Sequence, residues 1–216
     1  MRLRLTFSKT PAMRYTGHMD LHRSLERSLR RAALPLTHSQ GFTKRPKIHL
    51  ASALPLGVTG EAELADIWLD ETVVPGEVLE RIRAASPPGI RLDKVEEVAE
   101  DVPKLQGAIR ASDFAVTLLD GLPDLDERVA GLLRAGSLPR VRQDKAYDLR
   151  PLVVELRRLD DDEDGRCRLF MTLLTQNAAT GRADEVVAEL GGDPLAIRVH
   201  RLRIHLDDFV DIISKK

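Results

Sequence analysis

Taken as a string of apolar and polar positions, the chain falls into two stretches of similar plan. Residues 2–7 alternate, with Leu3, Leu5 and Phe7 on one side and Arg2, Arg4 and Thr6 on the other. That period of two predicts a strand with one core face and one wet face. After a loop at 8–17, Leu21, Leu25, Leu29 and Ala32 recur at helical spacing, and Arg23, Arg27, Arg30 and Arg31 fall on another side. The pattern predicts an amphipathic helix with a basic stripe. Strands are expected over 34–39, 47–54 and 61–70, the last alternating Ala65, Ile67 and Leu69 with Asp66, Trp68 and Asp70. Pro75 opens a second helix through Val78, Leu79, Ile82 and Ala85, which Pro87, Pro88 and Gly89 stop, and 90–98 closes the stretch as a strand.

Residues 99–110, with Pro103 and Gly107, read as a connector. The order then begins again: a strand at 112–120, a helix at 124–135 closed by Gly136, and strands at 139–143, 152–159 and 166–174. A short helix follows through Ala183, Val186, Val187 and Leu190. The last strand changes phase, from Ile197 and Val199 to Leu202, Ile204 and Leu206, which marks a bulge near His200. The repetition predicts an α+β protein of two tandem ferredoxin-like (split βαβ) modules with antiparallel sheets, at 1–100 and 111–208. Such a fold carries no chemistry by itself.

Composition narrows the class. With 216 residues, 43% of them hydrophobic, the chain can fill two cores of about a hundred residues each. No run approaches the roughly 18 apolar residues of a membrane span, so no membrane is expected. The single cysteine, Cys167, excludes an intramolecular disulfide and a cysteine-clustered metal site, which fits a cytoplasmic setting without a cofactor. A phosphate-binding glycine loop, a Gly-x-Ser-x-Gly elbow and a dinucleotide fingerprint are all missing from the sequence.

Charge changes the picture most. Residues 1–50 hold eleven basic side chains (Arg2, Arg4, Lys9, Arg14, Arg23, Arg27, Arg30, Arg31, Lys44, Arg45 and Lys47) against Asp20 and Glu26, a surplus of nine positive charges. Because the whole chain nets −1, the rest carries a surplus of ten negative charges, expected mostly in the second module and at hairpin edges. A basic surface of this kind points to a polyanion. The helix stripe presents Arg23, Arg27, Arg30 and Arg31 as a ridge for phosphates. The segment 39–47, SQGFTKRPK, presents Gln40, Phe42, Lys44, Arg45 and Lys47 between strands. Basic donors around an aromatic suit single-stranded RNA, although Phe42 could instead cap the core. Gly41 is expected to take a positive φ.

The run RYTGHMDLH at 14–22 supplies Arg14 and Tyr15 and places His18 near a helix N-terminus, where its imidazole could act as acid or base in RNA cleavage by the 2′-hydroxyl. His18 and His22 share a helical face, but Asp20 points elsewhere, so no metal site is expected. The acidic run Asp160–Asp164 with Gly165 reads as a solvated hairpin tip, and Cys167 as a small core residue.

These residues also carry a resemblance. RLRLTFSKTPAMRYTGHMDLHRSLERSLRRAALPL and HSQGFTKRPKIHLASALPLGVTGEAEL in the first half, and DLRPLVVELRRL and GRADEVVAELGGDPLAIRVHR in the second, resemble the radical-SAM-linked proteins. These are bacterial domains that occur alone or C-terminal to cobalamin-binding and radical-SAM regions. The resemblance implies a radical-SAM partner, since this chain lacks the cysteines of such a cluster. More distantly, the glycine-histidine step and tandem plan are similar to CRISPR repeat-processing endonucleases and tRNA pseudouridine synthases. The endonucleases' glycine-rich C-terminal loop and the synthases' aspartate motif are absent. The reading is an RNA-binding accessory domain that presents tRNA or rRNA to the partner. A metal-independent endoribonuclease using His18 and a protein-interaction module without nucleic acid are the alternatives.

Overall fold

The alternation at the start of the chain becomes strand β1 (Arg2–Lys9) in a computed structural model that describes residues 1–176 and 179–207. By its internal contacts the chain divides into two units, Met1–Ile109 and Arg110–Lys216.

In the first unit β1 is followed by α1 (His18–Arg31), β2 (Ile48–Leu50), β3 (Thr59–Trp68), α2 (Pro75–Ala85) and β4 (Ile90–Val98). The strands pair antiparallel with neighbour order β4, β1, β3, β2. Leu3, Leu5 and Phe7 of β1, Ala65 and Ile67 of β3, and Ile90 and Leu92 of β4 form one core with Leu21, Leu25 and Leu29 of α1 and Val78 and Ile82 of α2. The two helices therefore cover one face of the sheet. Gly89, at φ 99°, turns the chain into β4; a Cβ there would meet Met13 Cγ at 2.6 Å, so the position needs glycine.

Three expectations fail here. The strand foreseen at 34–39 is reduced to isolated bridges, Leu36 to Leu69 and His38 to Pro46, and the strand foreseen at 47–54 shrinks to β2. Pro35 and Pro46 lack ladder donors, which limits pairing on both sides of the loop. The second face of the sheet is not wet either: Arg2 is 3% exposed and Asp66 fully buried. The segment after β4 folds back over it. Arg2 donates to the carbonyls of Val102 and Pro103, Gln106 donates to Leu50 O, and Leu105 within α3 (Leu105–Ala108) is fully buried. The connector is thus part of the first unit's packing.

The second unit contains β5 (Ala111–Leu118), α4 (Leu125–Arg134), a two-stranded ribbon of β6 (Pro139–Arg142) and β7 (Lys145–Asp148), then β8 (Val153–Leu159), β9 (Arg168–Leu174), α5 (Ala183–Glu189) and β10 (Ile197–His205). Its main sheet is antiparallel with neighbour order β10, β5, β9, β8. The strand expected at 139–143 pairs in the ribbon, not in this sheet. The core joins Val116, Leu118, Leu169, Met171 and Leu173 to α4 and α5, with half-buried Cys167 packed at its margin. In β10 the register slips between Arg201 and Arg203, beside the bulge expected near His200. Residue 208, the expected end of this module, lies outside the described residues.

Candidate nucleic-acid interface

Helix α1 buries Leu21, Leu25, Ser28 and Leu29 and leaves Arg23, Arg27, Arg30 and Arg31 exposed. Steps of three and four residues keep the arginines on one side, rising about 6 Å from Arg23 to Arg27 and again to Arg31. The stripe is partly answered. Arg23 pairs with Asp20 at 3.2 Å and Arg30 with Glu26 at 3.0 Å, while Arg27 has no partner among the described residues. Exposed pairs of this kind hold by less than about 1 kcal/mol, so phosphate can replace either carboxylate.

Arg31 has a second duty. It donates to Ala85 O, the last residue of α2, at 2.6 Å, while Arg81 of α2 donates to Ala32 O and Ala33 O beyond the end of α1. Each helix thus lends a guanidinium to carbonyls that the other's C-terminus leaves unsatisfied. Nothing in the spacing of the stripe distinguishes Arg31 from its neighbours.

The loop at 39–47 is pinned at its base, where Ser39 N donates to Arg45 O, Arg45 N to Ser39 Oγ, and Lys47 N to Thr37 O. Above that base Gln40, Gly41, Phe42, Lys44 and Arg45 are exposed. Phe42 has a relative exposure of 109%, so it stands in solvent and does not cap the core. Gly41 does not take a positive φ. Lys47 turns inward, its Nζ 4.2 Å from the centroid of the Trp68 ring.

That ring organises the sheet's second face. Cross-strand register places Arg2, Trp68 and Lys47 in one row and Arg4, Asp66 and His49 in the next. Arg2 lies 5.4 Å from the Trp68 centroid, and His49 meets the ring edge-on at 4.9 Å. Asp66 accepts hydrogen bonds from both Arg2 and Arg4. Burial, together with Lys47 and Lys104, holds the His49 imidazole below its usual 6.5. The alternation of Asp66 and Trp68 in the sequence signalled a face but not its cover.

Arg14 and Tyr15 precede α1. Arg14 O accepts from Gly57 N and from Lys9 Nζ, whose residue pairs with Gly60, whereas Leu36 pairs with Leu69. Arg14 and Tyr15 therefore belong to the Lys9 end of β1 and the 39–47 loop to its Arg2 end, roughly 20 Å apart. Tyr15 is 80% exposed. His18 opens α1, with Gly17 as its N-cap, and is half-buried. His22 Nε2 lies 3.4 Å from Ile48 O.

The charge surplus also moves on closer reading. Lys9 is fully buried, Arg2 nearly so, and Arg4 is tied to Asp66, so three of the eleven basic residues serve the interior. Residues 51–109 hold five basic and twelve acidic side chains, against seventeen and twenty for 110–216. Seven of the ten surplus negative charges therefore belong to the first unit and not to its neighbour.

From residue 2 to 183 the chain matches a family described as "Uncharacterized protein conserved in bacteria (DUF2344)". It belongs to that family. No curated protein matches it. Among solved structures, this DUF2344 chain is similar to one in the crystal structure of a Cbf5-Nop10-Gar1 complex, with TM-score 0.49 and 11% identity over 94% of this chain and 48% of that one. A chain from an H/ACA RNP bound to a substrate RNA containing 2′-deoxyuridine gives TM-score 0.48 and 9% identity over 94% and 47%. One from the archaeal box H/ACA sRNP Nop10-Cbf5 complex gives 0.47 and 10% over 94% and 48%. The DUF2344 chain spans about half the length of each, and the likeness is one of chain path only. Among its described residues no helix is long and apolar enough to cross a membrane.

Proposed function

We propose that this protein is an RNA-binding accessory domain whose first unit grips structured RNA, tRNA or rRNA, and presents it to a radical-SAM partner. One observation carries the reading: an exposed arginine stripe on α1 occurs in the same unit as a basic loop whose aromatic, Phe42, is wholly in solvent. A fully exposed phenylalanine adds nothing to the core, and with Lys44 and Arg45 exposed in the same loop it is suited to stack on an unpaired base. Arg14, Arg23, Arg27, Arg30, Lys44 and Arg45 would contact phosphate, with Arg31 and Lys47 adding charge from positions already held by Ala85 O and Trp68. The radical-SAM partner rests on the sequence resemblance. The order strand, helix, two strands, helix, strand in the first unit, and the neighbour order common to both sheets, support a split βαβ module in each.

The test is fluorescence anisotropy with a folded tRNA across a salt series. If about six phosphates are neutralised, the log–log slope lies near −4 to −5. Arg27→Glu combined with Lys44→Glu touches no intramolecular partner among the described residues and is expected to abolish binding while leaving the melting curve unchanged. Unaltered affinity in that variant rejects the proposal. The same assay in EDTA separates the alternatives. Cleavage that disappears in His18→Ala marks a ribonuclease, and failure to bind any RNA leaves a protein-docking module.

A further inference from the structure

The second unit carries a face that the reading above does not use. Across its sheet, direct cross-strand partners form rows on the side away from α4 and α5. One row is Arg198, Thr117, Arg168 and Leu159; the next is His200, Ala115, Phe170 and Arg157; the third is Arg203, Asp113, Thr172 and Glu155. The alternate residues, among them Val116, Leu118, Leu169, Met171 and Leu173, fill the core on the helical side. Among the described residues no helix of this unit lies over the three rows, because both of its sheet-packing helices join that core.

The charge on this face is one-sided. Arg168, Arg198 and Arg203 form no ion pair among the described residues, and Arg157 is half-exposed. Both carboxylates are already answered. Asp113 accepts from Thr172 Oγ1 at 2.7 Å and lies 2.7 Å from His205 Nε2, and Glu155 accepts from Arg157 Nε at 2.9 Å. Although the unit as a whole is slightly acidic, its acid sits in loops and on helices, as at Asp120, Asp124, Asp126, Glu127 and the 160–164 tip. The arginines on one sheet face repel one another and gain from a chain of phosphates.

The middle row supplies what a base needs. Phe170 is only half-buried on the non-core side, and Ala115 beside it leaves the surface low. Arg157 holds its guanidinium 4.5 Å from the ring centroid. Ring and guanidinium are both planes on which unpaired bases stack, and a duplex, whose bases are already stacked, cannot use them.

We propose that the open sheet face of the second unit is a binding site for single-stranded RNA, with a base stacked at Phe170 and Arg157 and the backbone held by Arg168, Arg198 and Arg203. It is independent of the structured-RNA grip on the first unit. The probe is a labelled decameric oligouridine, titrated against the full chain by anisotropy. Phe170→Ala weakens binding about tenfold, Phe170→Tyr retains it, and Arg168→Ala and Arg198→Ala each make the salt slope shallower by about 0.7. Circular dichroism melts of the Phe170 pair separate lost stacking from lost folding. With 4-thiouridine in the oligomer, photocrosslinks map to 157–170 and persist in the Arg27→Glu, Lys44→Glu protein. Equal oligouridine affinity in wild type and Phe170→Ala, or crosslinks confined to 14–47, overturns this site while leaving the first unit's grip standing. Binding of polyglutamate or anionic phosphatidylglycerol vesicles that falls with the same substitutions also overturns it, since the occupant would then not be nucleic acid.

Discussion

Trp68 is the only tryptophan in the chain, and its ring is bracketed by Lys47, Arg2 and the edge of His49. His49 is held below 6.5 by burial first and by the neighbouring lysines second. A histidine whose folded pKa is depressed favours folding when neutral. As pH falls, the unfolded chain takes up the proton first, so stability is full above about 6.5 and declines below it until the folded imidazole also protonates. Trp68 emission is therefore expected to shift with a midpoint below 6.5, and urea midpoints are expected to fall over the same range. Both effects should vanish in His49→Gln. An emission profile that is flat from pH 7.5 to 5, or one unchanged by the substitution, contradicts this account.

At the scale of elements, the β6 to β7 ribbon turns through Gln143 and Asp144, at φ 49° and 62°. A two-residue hairpin turn with both residues left-handed favours Asn-Gly, and glutamine there is strained. Replacing Gln143-Asp144 by Asn-Gly is expected to stabilise the second unit by about 1 kcal/mol, read as a rise of a few degrees in its thermal midpoint. The strand expected at 139–143 is present as β6, but its partner β7 is not legible in the sequence. Without glycine or proline at 143–144 the turn signal rests on Asp144 alone. α1, α2 and β4 were legible because their apolar spacing alone defines them. The 34–39 strand was not, because its alternation is real but the pairing that would make it a strand is interrupted by neighbouring prolines. In the candidate site, periodicity placed the arginines of α1 on one side. That Lys47 points in depends on Trp68, which lies in a different strand.

For the whole molecule, formal charge is a poor guide to accessible charge. The first unit combines a surplus of nine positive charges over 1–50 with seven negative over 51–109, two of its cations are sealed inside and a third is tied to a buried carboxylate. The second is close to balanced yet keeps three arginines on one sheet face that form no ion pair among the described residues. Two separate basic surfaces give a measurable result. Protein purified from cells in low salt is expected to carry nucleic acid, seen as a raised ratio of absorbance at 260 to 280 nm, and to lose it in 1 M salt. The Arg27→Glu, Lys44→Glu variant should retain part of that load, and adding Phe170→Ala and Arg168→Ala should remove the rest. A ratio free of nucleic acid in the wild type speaks against both surfaces.

The exchange of guanidiniums between α1 and α2 also bears on how load is carried. Arg31 rests on the last carbonyl of α2, and Arg81 rests on the carbonyls that follow α1. A strand drawn tight across α1 would pull on a strut whose far end is anchored in its neighbour, so the tension would be shared by two helices and the sheet beneath them. The α1 surface is thus braced from within, and an RNA bound as proposed would meet a stiff handle instead of a single helix free to roll.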